Sequence, residues 1–203
     1  MRRAAFLVMI AACVAVGVAT ASGTSRHPIP TAGISLATPS SWRAVDSKAV
    51  LASKGVQNLL KENPQLASII NQVAGADSPV KFLSFDPHVT DRFATNVNVV
   101  VSAVPANVSL GALAAAIAAQ LKTLPGLTGT IATSTVKLPI GPASRSTFQL
   151  TVVTNGKKLV VQTLQYAFLR KGQSIVVTFS TTPNQSARRA ATFKAIVASI
   201  HAR

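Results

Sequence analysis

Apolar and polar residues alternate through most of the chain after residue 130, in runs separated by turn residues. In residues 145–152 large apolar side chains occupy every second position, which is the pattern of a strand with one buried face. Similar runs cover residues 130–138, 159–169 and 174–180. Asn155-Gly156 stands between two of them, and a tight hairpin turn favours residues that tolerate positive φ. The pattern predicts a four-stranded antiparallel meander.

Two other segments show the spacing of an α-helix. Residues 109–122 begin with Ser109, a favourable N-cap, and the last segment begins at Pro183, a residue common at the first helical position. Their apolar stripes consist of Leu110, Leu113, Ile117 and Leu121 in the first, and Phe193, Ile196, Val197 and Ile200 in the second. Residues 46–76 also have helical spacing, with Asn63-Pro64 as an internal helix start, and they predict two or three further short helices.

Four shorter segments predict the remaining strands. They are residues 34–38, 42–45, 80–85 and 93–101. Strands in hairpin order with helices between them are typical of an α+β protein, in which helices pack on an antiparallel β-sheet. We therefore expect one domain over residues 33–203, preceded by a flexible, Pro-containing polar linker at residues 22–32.

The first 21 residues have the pattern of a secretory signal peptide. Arg2 and Arg3 are followed by an uncharged apolar run to Ala19 and by the small residues Ala19-Thr20-Ala21, a cleavage site of the A-x-A type. The run is shorter than the roughly 20 residues that a membrane-spanning helix needs. The sequence thus predicts an extracytoplasmic protein, secreted or associated with the cell envelope, whose mature chain begins at Ser22.

Cys13 leaves an alternative open. Ile10-Ala11-Ala12-Cys13 has the form of a lipobox, in which the cysteine is lipidated and becomes the mature N-terminus. The apolar segment before Cys13 is very short, and residues 14–23 stay apolar or small, so the signal peptide is the favoured interpretation. No other cysteine exists, which excludes disulfides and thiolate metal sites from the mature domain.

The charge of the chain is strongly positive, at +15, with 20 Lys and Arg against five Asp and Glu. No acidic residue follows Asp91. Such a charge favours anionic partners, which outside a membrane are anionic lipids, wall polymers or acidic glycans rather than nucleic acid; a plainly solvated surface is the alternative. The candidate binding residues are Arg145, Lys157, Lys158, Arg188 and Arg189. Lys157-Lys158 and Arg170-Lys171 flank one predicted strand, so they are expected at opposite ends of the sheet.

Catalytic patterns are missing from the sequence. No G-x-S-x-G nucleophile elbow and no Gly-rich phosphate loop occur, and the histidines are His27, His88 and His201. Asp86, His88 and Asp91 could form a small cation site, although a solvated polar loop is the favoured explanation. We expect no catalytic residues, no cofactor and no metal; a hydrolase with a dispersed active site is a weaker alternative.

Several soft motifs resemble the PsbP-like fold. They are Gly33–Trp42, with its strand, Pro39 and Trp42; Asn96-Val97-Asn98-Val99; the helix from Ser109; Gly141-Pro142-Ala143; and the closing Phe193–Ile200. Within that fold the chain is similar to the LpqN/LpqT family of actinobacterial envelope lipoproteins. The resemblance implies an α-β-α sandwich and a non-catalytic role in binding envelope lipids or partner proteins. The poor lipobox departs from that family.

The function expected from these observations is a non-enzymatic binding module of the cell envelope. An apolar or lipid-like ligand would lie between the sheet and the alanine-rich helix after Ser109, where small side chains could leave room; tight helix–sheet contact without a cavity is the favoured alternative. The alternative is a basic surface protein that binds anionic polymers or a membrane surface. The oligomeric state and the physiological partner are left open by the sequence.

Overall fold

The computed structural model describes residues 23–45, 78–91, 93–154 and 157–203. The predicted signal peptide with Cys13, the helices predicted within residues 46–76 and the turn at Asn155-Gly156 lie outside the described residues. In the described part of the chain no helix is long and apolar enough to cross a membrane.

The described residues form ten strands and two α-helices. The strands are β1 (Thr24–Ile29), β2 (Ile34–Pro39), β3 (Arg43–Ala44), β4 (Val80–Phe85), β5 (Asn96–Ala103), β6 (Leu127–Leu138), β7 (Gly141–Thr154), β8 (Lys157–Arg170), β9 (Gln173–Thr181) and β10 (His201–Ala202). The helices are α1 (Leu110–Lys122) and α2 (Pro183–Ala198), and a short 3-10 turn spans Pro30–Ala32.

Seven of these strands form one sheet in the order β3-β4-β5-β9-β8-β7-β6, and every neighbouring pair is antiparallel. The last four strands form the meander that the alternating pattern predicts. Strands β7 and β8 pair as far as Thr154 and Lys157. Lys171 and Gly172 both have positive φ, 47° and 71°, as a type I′ turn between β8 and β9 requires. The predicted α+β fold class is confirmed.

The sheet is covered on both faces. Helix α1 packs on the face that carries Phe148 and Leu150, and Leu113, Ile117 and Leu121 are its buried side chains; we call this the α1 face. Helix α2 packs on the opposite face, the α2 face, with Phe193 stacked 4.7 Å from Phe179 between ring centroids. The result is an α-β-α sandwich, and both apolar helix stripes are where their spacing predicts.

A second, three-stranded sheet lies on the α2 face and corrects the linker prediction. Residues 24–29 form β1 and pair with β2, and the C-terminal β10 pairs with the other edge of β2. Gly33 closes the turn between β1 and β2 with φ of 59°, a conformation that glycine adopts without strain. The prediction of a flexible linker is therefore wrong for residues 24–32. Its polar, Pro-containing composition hides an alternating strand that pairs with the next strand along the chain.

Candidate functional site

The β7–β8 hairpin extends beyond the rest of the large sheet. Strand β9 pairs with β8 only from Gln162 onward, and β6 pairs with β7 only as far as Leu150. The last contact to β7 from the β6 side is the hydrogen bond from Thr151 N to Gly126 O, at 2.6 Å. Residues 152–154 therefore have β8 as their only described strand neighbour, and residues 157–161 have only β7. We call these two short segments the projecting hairpin.

The projecting hairpin exposes apolar side chains on its α2 face. Val153 lies directly opposite Lys158, and Val160 lies opposite Thr151, and residues opposite each other in an antiparallel pair share a face. Val153 is 61% exposed and Val160 is 38% exposed. Among the residues that the structure describes, these two are the exposed large apolar side chains. Apolar side chains clustered at an exposed tip are typical of an interaction surface.

Basic side chains lie at the same end of the sheet as these valines. Lys157 and Lys158 are both exposed, and they begin the second strand of the hairpin. Lys122, also exposed, is the last residue of α1. It lies at the same end of the sheet, because Gly126, which follows α1, accepts a hydrogen bond from Thr151 N of β7. No acidic residue occurs in residues 92–203. The tip thus combines two valines with positive charge that no nearby acid in the sequence offsets.

The five predicted binding residues do not form one surface. Lys157 and Lys158 lie in the projecting hairpin, whereas Arg145 lies opposite Tyr166, nearer the other end of β8. From Lys157 to Arg170 the strand spans about 43 Å at the usual rise per residue. Arg188 is exposed on α2, and its neighbour Arg189 forms an ion pair with Asp86.

The exposed Val153 and Val160 were missed by sequence reasoning. Alternation shows on which face of the sheet a side chain lies, but it does not show where a neighbouring strand ends.

The Asp86–Asp91 loop is organised by contacts within the protein. The Asp86 carboxylate is nearly buried and accepts from Arg189 Nη2 at 2.6 Å, from the His88 backbone N at 2.9 Å and from His88 Nδ1 at 3.1 Å. Asp91 Oδ2 accepts from Thr182 Oγ1 at 3.0 Å. In the part of the chain that the structure describes, no three His, Cys, Asp or Glu side chains are grouped as metal ligands. This loop anchors α2 to the end of β4.

His27 is in a strand rather than in a mobile segment. Its Nε2 lies 2.9 Å from Thr38 Oγ1, and its ring lies 5.0 Å from that of Phe82. Burial lowers the pKa of the imidazole below its ordinary value of 6.5. A histidine next to a hydroxyl could activate a nucleophile, but Thr38 is completely buried and no substrate can reach its oxygen. The pair is structural.

The alanines of α1 do not create the predicted space above the sheet. Ala112, Ala115, Ala116 and Ala119 are exposed, so they point away from the sheet. The side that faces the sheet carries larger residues, Leu113 and Ile117 among them, and these are buried. These four alanines therefore line no space above the sheet, because the phase of the helix directs the apolar stripe inward, and Ala114 and Ala118 are half-buried.

Comparisons with solved structures agree with this architecture. The chain is similar to cyanobacterial PsbP (CyanoP) from Synechocystis, with a TM-score of 0.56 and 18% identity over 95% of this chain and 98% of that one. It is also similar to the Ran-binding protein Mog1p of Saccharomyces cerevisiae, with a TM-score of 0.53 and 8% identity over 90% and 96% of the two chains. LpqN, involved in cell envelope biogenesis of Mycobacterium tuberculosis, matches with a TM-score of 0.49 and 13% identity over 87% and 83%.

Comparisons of sequence add no family. No protein-family model matches the chain, and no curated protein matches it. Identities this low show a shared fold and leave function to be argued from the site itself. The order of its strands and helices and its likeness to CyanoP show that this chain has the PsbP-like α+β fold.

Proposed function

We propose that this protein is a non-enzymatic binding module of the cell envelope that docks through its projecting hairpin on an anionic lipid surface. The observation that supports it is the combination of exposed Val153 and Val160 with Lys157 and Lys158 at one projecting tip. The N-terminal export pattern would place the domain outside the cytoplasmic membrane. Membership in the LpqN/LpqT family is part of this proposal and is supported by the motifs in the sequence.

Lipid headgroups suit this tip better than a folded protein partner does. Valine side chains insert at the boundary between headgroups and acyl chains, while lysines remain among the phosphates. Each lysine near an anionic surface contributes about 1 kcal/mol, so the two hairpin lysines and two valines give a weak, reversible attachment. The area of the tip is small compared with a stable protein interface. The attachment should therefore depend strongly on salt and on the fraction of anionic lipid.

Sedimentation with vesicles tests this function. The mature protein is mixed with vesicles of phosphatidylcholine alone, or of phosphatidylcholine with one quarter phosphatidylglycerol, in 0.1 M and 0.5 M salt. We expect binding to the anionic vesicles at low salt and at least a several-fold loss at high salt, because the Debye length falls from about 10 Å towards 4 Å. Binding to neither kind of vesicle at low salt would refute the proposal.

A matched pair of double variants locates the surface. Lys157→Ser with Lys158→Ser removes two exposed charges from the tip, and Lys137→Ser with Arg188→Ser removes two exposed charges elsewhere. The first pair should weaken binding about tenfold or more, since two contributions of about 1 kcal/mol are lost. The second pair should keep most of the affinity. Equal losses would mean that only net charge matters and that the hairpin has no special role.

A further inference from the structure

The α1 face of the large sheet carries a buried polar patch on its three central strands. In one row across β5, β9 and β8, Asn98 pairs with Thr178 and Thr178 with Gln165. In the adjacent row, Asn96 pairs with Ser180 and Ser180 with Thr163. Since these positions are two residues apart along each strand, all six side chains share one face. Each of the six is no more than 3% exposed. We call them the polar patch.

Among the residues that the structure describes, most members of the polar patch have side-chain atoms without a hydrogen-bond partner. Both amide atoms of Asn98, Oδ1 and Nδ2, lack one, as do Asn96 Oδ1, Gln165 Oε1, Thr163 Oγ1 and Ser180 Oγ. Native proteins pair nearly all buried polar atoms, because an unpaired one loses its hydrogen bonds to water without replacement. Six such atoms on adjacent positions of one sheet face therefore indicate a hydrogen-bonding partner that is not among the described residues.

The atoms left unpaired define what that partner must offer. The Asn96 Nδ2 group donates to Ala94 O at 3.0 Å, and Gln165 Nε2 donates to Thr178 Oγ1 at 3.1 Å. Both amides therefore present a carbonyl oxygen to the patch. Together with Asn98 Oδ1 there are three unpaired acceptor oxygens, and Asn98 Nδ2 is the one unpaired group that can only donate. The hydroxyls of Thr163 and Ser180 can donate or accept. The patch favours a ligand rich in donors.

The surroundings define the rest of the ligand. None of the six side chains is ionisable, so a carboxylate or phosphate placed here would be buried without a counter-charge, at high cost. Most flanking positions on the same face are apolar: Leu83 lies opposite Asn98, and Phe148 opposite Thr163, whereas Ser146 lies opposite Gln165. Val100 and Val176 form the next row, and the four apolar residues are buried in one cluster with α1. A polar group held here would continue into an apolar environment.

We propose that the polar patch binds the hydroxyl-bearing head of an uncharged amphiphile, whose apolar part lies against the surrounding cluster. Ligand sites in proteins are mostly apolar with a few polar groups that orient the ligand, and this face has that composition. Asn98 is the central contact, because it offers a donor and an acceptor from one side chain. This site lies on the α1 face and does not depend on the projecting hairpin, which exposes its valines on the α2 face.

Titration with monooctanoylglycerol, below its critical micelle concentration, tests the proposal. Binding is followed by calorimetry and by the melting temperature, with octanoate as the matched ligand of equal chain length and charged head. We expect monooctanoylglycerol to bind and to raise the melting temperature, because a ligand that binds only the folded state stabilises it. Octanoate should bind at least tenfold more weakly. Equal binding of the two, or no binding of monooctanoylglycerol, would overturn the proposal and leave ordered water as the partner of these atoms.

Substitution of Thr163 separates a ligand role from a structural one. Thr163→Val keeps the shape of the side chain and removes a hydroxyl that has no partner. It should therefore leave the melting temperature of the ligand-free protein unchanged or slightly higher, while weakening monooctanoylglycerol binding about tenfold. Thr128→Val, an exposed position in β6, is the control and should not change binding. A lowered melting temperature with unchanged affinity would show that Thr163 serves the fold instead.

Discussion

Arg189 of α2 donates from Nη2 to Asp86 Oδ2 at 2.6 Å, joining the first half of that helix to the residue that follows β4. The Asp86 side chain is 6% exposed and that of Arg189 is 23% exposed, so the carboxylate depends on this partner for most of its compensation. Removing one member of a nearly buried ion pair leaves the other charge without compensation. The contact is one of several that fix the position of α2, together with the Thr182–Asp91 hydrogen bond and the stacking of Phe193 on Phe179.

Arg189→Ala should lower the free energy of unfolding by about 2–4 kcal/mol, slightly less than the loss of one partner from a fully buried pair, because Arg189 is partly solvated. Arg188→Ala, which removes an exposed charge from the same turn, should change stability by less than about 0.5 kcal/mol. Urea denaturation measures both. Combining Asp86→Asn with Arg189→Ala should cost less than the two single changes added together, and strict additivity would argue against the pairing.

The stability of the protein should fall as the pH drops below about 6.5, in part because of His27. Its pKa in the folded state lies below the ordinary value that it recovers on unfolding. As the pH falls through 6.5, His27 therefore takes up a proton in the unfolded chain but not yet in the folded protein. This protonation stabilises the unfolded state relative to the folded one. Melting temperatures at pH 7.5 and 5.5 measure this decline. His27→Gln should make it shallower, and an unchanged slope in that variant would refute the role of His27.

Gly126→Ala should destabilise the protein more than Gly129→Ala does. Both glycines have positive φ, 81° and 73°, which costs a residue with a side chain about 1–2 kcal/mol. A Cβ at Gly126 would also clash with the carbonyl oxygen of Thr151, whereas a Cβ at Gly129 meets nothing within 4 Å. Thermal denaturation compares the two variants. Equal losses would mean that the chain between α1 and β6 can move away from β7.

Phe193→Ala should cost about 3–5 kcal/mol of stability, the usual range for removing a buried aromatic ring. Phe193 is 4% exposed and stacks on Phe179 of β9. The neighbouring Lys194 is exposed, and Lys194→Ala is the control, expected to have little effect. A loss below about 1 kcal/mol for Phe193→Ala would show that α2 is only loosely attached to the sheet.

The mature protein should begin at Ser22. The small residues Ala19-Thr20-Ala21 after an uncharged apolar run are the pattern that a signal peptidase cleaves. Intact-mass measurement of the protein exported by a bacterial host determines the N-terminus directly. A chain that begins at a lipid-modified Cys13 would instead make the protein membrane-anchored, and it would then meet the lipid surface without the help of the hairpin.

The amino-acid sequence by itself determined the elements of this fold. Strand alternation located the β6–β9 meander, and helical spacing located α1 and α2 with their buried stripes, because these patterns arise from the local geometry of the backbone. Turn residues separated the runs of the meander for the same reason. The type of these elements and their inward faces thus follow from nearest neighbours along the chain.

Only the tertiary structure decided which segments meet and where a strand loses its neighbours. Strand β1 looked like a linker because its partner β2 is itself held by β10 from the far end of the chain. The polar patch escaped notice because Asn96 and Asn98 alternate with apolar residues, as on a strand with one wet face, yet both faces of the central strands are buried. Val153 and Val160 are exposed because β9 and β6 do not reach them. Burial and pairing of this kind depend on residues far apart in sequence, and no local pattern encodes them.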